Sequence, residues 1–211
     1  IAVHYFQGGA LLRRHQVNGE LDLSFQTSDF SIQLIAVQPD DRILLVGDFG
    51  GQPSVVRLNA DGSLDTSFQV TLDGRLYAIA VQPNGKILLG GYFGQVNGTA
   101  IYNLARLHAN GALDLEFTPD IPGTVFCLAV QPNGQIVIGG NFWEVNGVAR
   151  NCIACLQSDG TLDPTFDPGT GPYLSSEEQY VWSIVLQPDG RMVGNGNFCI
   201  FDGVPRADFV R

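Results

Sequence analysis

The groups of this 211-residue chain that could do chemistry are four cysteines, three histidines and 21 carboxylates. Cys152 and Cys155 are spaced Cys-x-x-Cys, which suits half a zinc site or a redox pair. A second such pair or a histidine pair is missing, and the motif does not stand at a helix start, as a thioredoxin-like site requires. Asp22, Asp65, Asp114 and Asp163 recur in the motif Leu-Asp-x-x-Phe, with Asp61 and Asp159 nearby. Several oxygens close together suit a hard cation. An aspartate just after a hairpin turn serves equally well as a local acceptor for backbone N–H groups. No dense Asp-x-Asp-x-Asp-Gly loop favours calcium. His4, His15 and His108 fall in different columns of the pattern described below, and none matches a serine and an aspartate as a hydrolytic triad would. The expectation is therefore a chain that is not an enzyme, with no catalytic residue, no metal and no cofactor.

What must position these residues is an internal repeat, the feature to establish before any other. Residues 36–49 return as 80–93, 129–142 and 185–198. A second segment, 57–68, returns as 106–117 and 155–166 and, more weakly, as 14–25. The intervals Arg14 to Phe25, Arg57 to Phe68, Arg106 to Phe117 and Cys155 to Phe166 are identical. Each unit reads as four short strands. Pro83-Asn84-Gly85 is a turn in which proline sets one backbone angle and Asn-Gly accepts positive ones. The apolar run after Lys86 fits a strand buried on both faces, and Asn110-Gly111 marks a further hairpin. A single sheet with two apolar faces cannot bury itself, but sheets packed side by side can. The reading is all-β: a β-propeller of four-stranded antiparallel blades, four to five of them represented, as a part of a larger ring or as part-blades that close on each other. The units are a part-blade 1–33, blades 34–76, 77–124 and 125–181, and a part-blade 182–211.

Composition agrees. Glycine is 26 of 211 residues and charged residues are only 15%, as many short strands and tight turns require. The net charge is −10 with a single lysine, Lys86, so there is no basic stripe for nucleic acid and little attraction to an anionic membrane. No apolar run approaches the ~18 residues of a membrane span.

The string AVQPNGKILLGGYF at 80–93, VNG at 96–98 and ARLHANGALDLEF at 105–117 resemble the delta-sixty repeat family, bacterial repeats that build β-propellers. That resemblance implies the fold and a secreted or cell-envelope location, and no established catalytic activity.

Identical columns account for the frame, so function is expected in the columns that differ, on loops held by it. One group is the insertion 167–180 with Tyr173, Glu177 and Glu178, where the two adjacent carboxylates suit a solvated loop. Another is the loop after the second strand, with Trp143, Glu144, Phe198, Cys199 and Phe201. Aromatic side chains there anchor a protein partner or stack on sugar rings, or else Trp143 and Phe201 seal the gap between blades. Cys127 stands in the column of Ala78 and reads as small core packing, while Cys155 replaces the recurring arginine. Cys152 or Cys155 is open to a disulfide with Cys199 in an oxidising compartment. The function expected is an interaction module binding a protein. The alternatives are a glycan-binding propeller and a lactonase-type propeller enzyme, which would need a metal held in the central channel by Asp, Glu and Asn.

Overall fold

The computed structural model describes the chain apart from residues 1, 7–8, 26–31, 50, 174–178, 199, 202, 206–208 and 211, and apart from the side chains of 2–6, 9–11, 173, 201, 205, 209 and 210. No helix occurs among the described residues, and every strand pairing is antiparallel.

Three complete units follow one plan. First strands are Ile32–Val37, Arg75–Val81 and Gly123–Val130, with Tyr180–Leu186 opening the last unit. Each pairs with a second strand: Ile43–Asp48, Ile87–Tyr92, Ile136–Phe142 and Met192–Asn197. The first strands begin two residues ahead of the boundaries drawn from the repeat, because those leading residues differ from unit to unit. The fourth strand is a full strand, Leu64–Thr71, only in the first complete blade. In the next two it shrinks to single bridges, Leu107 to Leu113 and Leu156 to Leu162. There the aspartate that follows turns back into the sheet: the Asp114 N–H donates to the Arg106 carbonyl and the Phe117 N–H to the Asp114 carbonyl.

The core is a series of slabs between neighbouring blades. The second strand supplies both sides of each blade. Ile87 and Leu89 pack toward the blade before, whereas Leu88 packs toward the blade after. Strand periodicity of two makes this alternation automatic. Each fully buried leucine or isoleucine contributes roughly 1.5–3 kcal/mol.

The identical columns form a latch across each slab. The Arg57 Nε donates to Asp65 at 2.9 Å, its Nη1 donates to the Ala109 carbonyl of the next blade at 2.6 Å, and its guanidinium lies 4.4 Å above the Phe68 ring. The Phe68 ring in turn fills the space under Gly111, where a Cβ would stand 2.9 Å from it. Arg106 repeats this with Asp114, the Ser158 carbonyl and Phe117, which sits under Gly160. Arg14 does so with Asp22, the Ala60 carbonyl and Phe25. The repeated Arg, Asp, Phe and turn Gly are thus one device that joins a blade to its successor.

Candidate binding site at the mouth of the central channel

Each first strand carries an extra residue. The pairing steps from Ile32–Gly47 to Leu34–Val46, from Leu76–Gly91 to Ala78–Gly90, from Val125–Gly140 to Cys127–Gly139 and from Val181–Gly196 to Ser183–Asn195. The unmatched residues are Gln33, Tyr77, Phe126 and Trp182. Such a β-bulge bends its strand and re-aims one side chain. The recurring glycine opposite makes room for it. A Cβ at Gly91, Gly140 or Gly196 would meet a first-strand carbonyl oxygen (of Arg75, Thr124 and Tyr180) at 2.2, 2.0 and 2.0 Å.

All four bulge residues line one cavity of about 640 Å³, walled by the first strands of four successive units. Three of the four are aromatic. The Phe126 ring is the centre: Tyr77 meets it edge-on at 5.2 Å, Trp182 lies 4.8 Å away and Tyr180 5.8 Å. Gln33, Arg75 and Ser183 bring polar groups to the same cavity. Their side chains make no hydrogen bond or ion pair among the described residues. Trp182 is 53% exposed.

None of the lining residues is a carboxylate or a histidine. A divalent cation requires several oxygen ligands. The described lining offers one amide, of Gln33, and two hydroxyls, of Tyr77 and Ser183, beside the positive charge of Arg75, and this set does not fit the metal that a lactonase-type site would need.

The expected loop residues share the mouth's end of the molecule. Arg75 pairs with Tyr92 and Tyr180 with Asn197, so the loops that leave the second strands start beside the bulges. Trp143 is 61% exposed there and does not seal the gap between blades. Glu144 is half-buried in a two-residue strand, Glu144–Val145, paired with Val148–Ala149. Phe198 corrects the expectation of an exposed contact: it is 1% exposed, in the column of the equally buried Phe93 and Phe142, and it belongs to the core. The insertion and the last loop are joined by backbone pairing, Pro172 with Phe201 and Tyr173 with Ile200. The side chains of Tyr173 and Phe201, and Glu177, Glu178 and Cys199, lie outside the described residues.

The remaining chemistry-bearing groups are structural. Asp65 accepts from the backbone and hydroxyl of Ser67 and from Arg57, which hold its carboxyl down at about 2. Asp163 is served by Thr165 and by Gln135 at 2.6 Å. Asp61 and Asp159 bind the residues two positions on in the same way. Cys127, Cys152 and Cys155 are free thiols in one apolar slab. Burial pushes Cys127 up to about 12 and Cys152 and Cys155 to about 11, so each stays a protonated, inert thiol. The pairing of Cys152 with Cys199 falls outside the described residues.

The bulges were not anticipated from the sequence, yet a signal existed. Gly47, Gly91, Gly140 and Gly196 interrupt the apolar second strands in one column, and a glycine inside a strand marks a bulge or a close backbone approach.

No curated protein matches the sequence at a significant level. Among solved structures the chain is similar to a protein provisionally named a gluconolactonase, with 18% identity and a TM-score of 0.49, over 93% of this chain and 64% of the other. It is also similar to a puromycin hydrolase, with 16% identity and a TM-score of 0.45, over 87% of this chain and 30% of the other. The chain thus spans less than two thirds of the length of either. Residues 38–68, 82–117 and 131–166 match the model of a family described as "Domain of unknown function (DUF5122) beta-propeller", in agreement with the β-propeller repeat.

Proposed function

We propose that this chain is a non-enzymatic recognition module that seats a protein partner on the end of the propeller carrying the channel mouth, in the secreted or envelope setting that the family resemblance implies. The observation that carries this reading is the gathering of exposed aromatic side chains at that end. Trp143 and Trp182 are joined there by Tyr92 and Tyr102, which are 66% and 63% exposed. Tryptophan and tyrosine are the residues that most often dominate protein interfaces, because they bury much area at little entropic cost. They stand on or beside strands of packed blades, so little ordering is needed on binding. The buried thiols, and a mouth whose described lining residues include no carboxylate, support a role in binding over a role in catalysis.

The test is selection of peptides from a displayed library against the folded chain. Binders are expected to compete with one another and to lose at least tenfold in affinity on Tyr102→Ser or Trp143→Ser. Binders untouched by both changes, and by Trp182→Ser, would place recognition elsewhere and overturn the proposal.

A further inference from the structure

We infer that the channel mouth itself is a binding site for an acidic sugar, a pyranose that carries a carboxylate. This goes beyond the protein partner proposed above and does not depend on it: Trp182 belongs to both, but Tyr92, Tyr102 and Trp143 do not line the mouth.

Three properties of the mouth converge on that chemistry. The first is the aromatic wall. Tyr77, Phe126, Tyr180 and Trp182 come from three blades and touch in an unbroken series. Bulges aim three of these rings at the channel, and Trp182 leaves half its surface uncovered. A pyranose has a flat face of C–H groups that packs on such rings and an edge of hydroxyls that must stay hydrogen-bonded. The second is the polar side. The bulge of the first complete blade supplies Gln33, whose amide both donates and accepts, and the last unit adds the Ser183 hydroxyl. These match an edge of hydroxyls better than they match a purely aromatic ligand.

The third property selects the charge. Arg75 is the single charged residue lining the cavity, and its guanidinium has no ion pair or hydrogen bond among the described residues. Arg14, Arg57, Arg106 and Lys86 bind aspartates, whereas Arg13 and Arg150, like Arg75, have no carboxylate partner among the described residues but do not line the cavity. What sets Arg75 apart is its place: it is the arginine without a carboxylate partner that lines this cavity. Its planar fork recognises a carboxylate through two parallel bonds. A cationic ligand, which the rings alone would favour, meets repulsion from Arg75 and finds no carboxylate. The volume, about 640 Å³, lies within the ~300–1,000 Å³ of small-molecule sites and holds one or two sugar rings.

The test uses tryptophan fluorescence. The chain has two tryptophans, so the Trp143→Ser background isolates Trp182. Glucuronate and galacturonate are titrated beside glucose, galactose and benzoate, with calorimetry on the wild type as a check. The expected result is saturable binding of the uronates at least tenfold tighter than of the neutral sugars. Arg75→Gln, at an exposed position, should erase that preference and leave the melting temperature unchanged. Phe126→Leu should weaken all sugars alike. Equal binding of uronates and neutral sugars would overturn the acidic selection, and benzoate binding as tightly as the uronates would overturn the sugar. Absence of binding by any uronate would overturn the site itself. None of these outcomes touches the protein-partner reading at Tyr92, Tyr102 and Trp143; Trp182 alone is shared by the two.

Discussion

Two junctions between blades differ most in the column that holds Arg106 in one and Cys155 in the other. Where the second complete blade meets the third, Arg106 is 5% exposed and fastens Asp114, the Phe117 ring and the Ser158 carbonyl of the next blade. Where the third blade meets the last unit, the same column holds Cys155, whose thiol makes no hydrogen bond beyond its own strand among the described residues. Asp163 keeps the place of Asp114, but its partner is now the neutral Gln135 amide, at the position from which Lys86 serves Asp114. The first junction combines apolar burial with a buried, fully bonded ion pair. The second relies on apolar contact among Ile153, Cys155, Val181 and Ile184. The fold therefore survives loss of the arginine provided that the aspartate retains a donor. The condition is physical: a buried carboxylate with no donor costs more than the pair gained in the first place.

The contrast is broken or sharpened most strongly at Arg106. Arg106→Ala leaves Asp114, whose side chain is 2% exposed, with Lys86 as its charged partner. Removing one member of a buried pair costs about 3–5 kcal/mol, and the surviving lysine puts the expected loss near the low end. It should appear as a lower urea midpoint with an unchanged slope. Gln135→Ala, at the junction without arginine, removes one hydrogen bond to a charged group and should cost about 1–2 kcal/mol. Equal losses at the two sites would mean that the latch adds nothing beyond a satisfied aspartate.

Acid attacks the latched junctions through the same groups. Ser67 and Arg57 hold Asp65 at about 2. Burial pushes Asp114 up, but Lys86 and Arg106 outweigh it and bring the carboxyl to about 2 as well. Both values lie below the ordinary 3.8, so the folded state favours the ionised form. Stability from this source is complete above about pH 4 and is lost as the pH falls toward 2. Thermal midpoints should decline across that window. In the double variant Asp65→Asn/Asp114→Asn the decline should be shallower, although it starts from a lower midpoint. An unaltered slope would show that other carboxylates carry the acid sensitivity.

The latch was half legible in the sequence. Identical spacing from Arg57 to Phe68 and from Arg106 to Phe117 announces a device, and Asn-Gly turns announce the hairpins between them. What spacing cannot show is that Arg57 reaches Ala109, because that contact depends on how one blade stacks on the next. The channel mouth was less legible still. Gln33, Tyr77, Phe126 and Trp182 sit where one unit hands over to the next, so they look like unrelated boundary residues. Only the curvature of the ring brings them together, and only the glycine opposite each records the bulge. Phe198 shows the converse. Its neighbours in the chain suggest a loop aromatic, but its column, with Phe93 and Phe142, is a core column; position within the repeat outweighs position beside a loop.

The smallest expected effect tests whether columns that differ in residue type still do the same job. Asn103 and Cys152 occupy one column, and both adopt the left-handed backbone, with φ of 62° and 63°. Both side chains reach forward to a carbonyl on the approach to the next blade: the Asn103 amide donates to Ile121 at 3.0 Å, and the Cys152 thiol to Gln179 at 3.3 Å. Asparagine tolerates this conformation, whereas other side chains are strained there by roughly 1–2 kcal/mol. A thiol is also the weaker donor. Cys152→Asn should therefore stabilise the chain by about 0.5–1 kcal/mol, read as a higher urea midpoint, and Asn103→Cys should lose a similar amount. If the first change is neutral while the second is costly, the junction built around the cysteines has relaxed to fit the thiol. The repeat column would then be equivalent in backbone but not in packing.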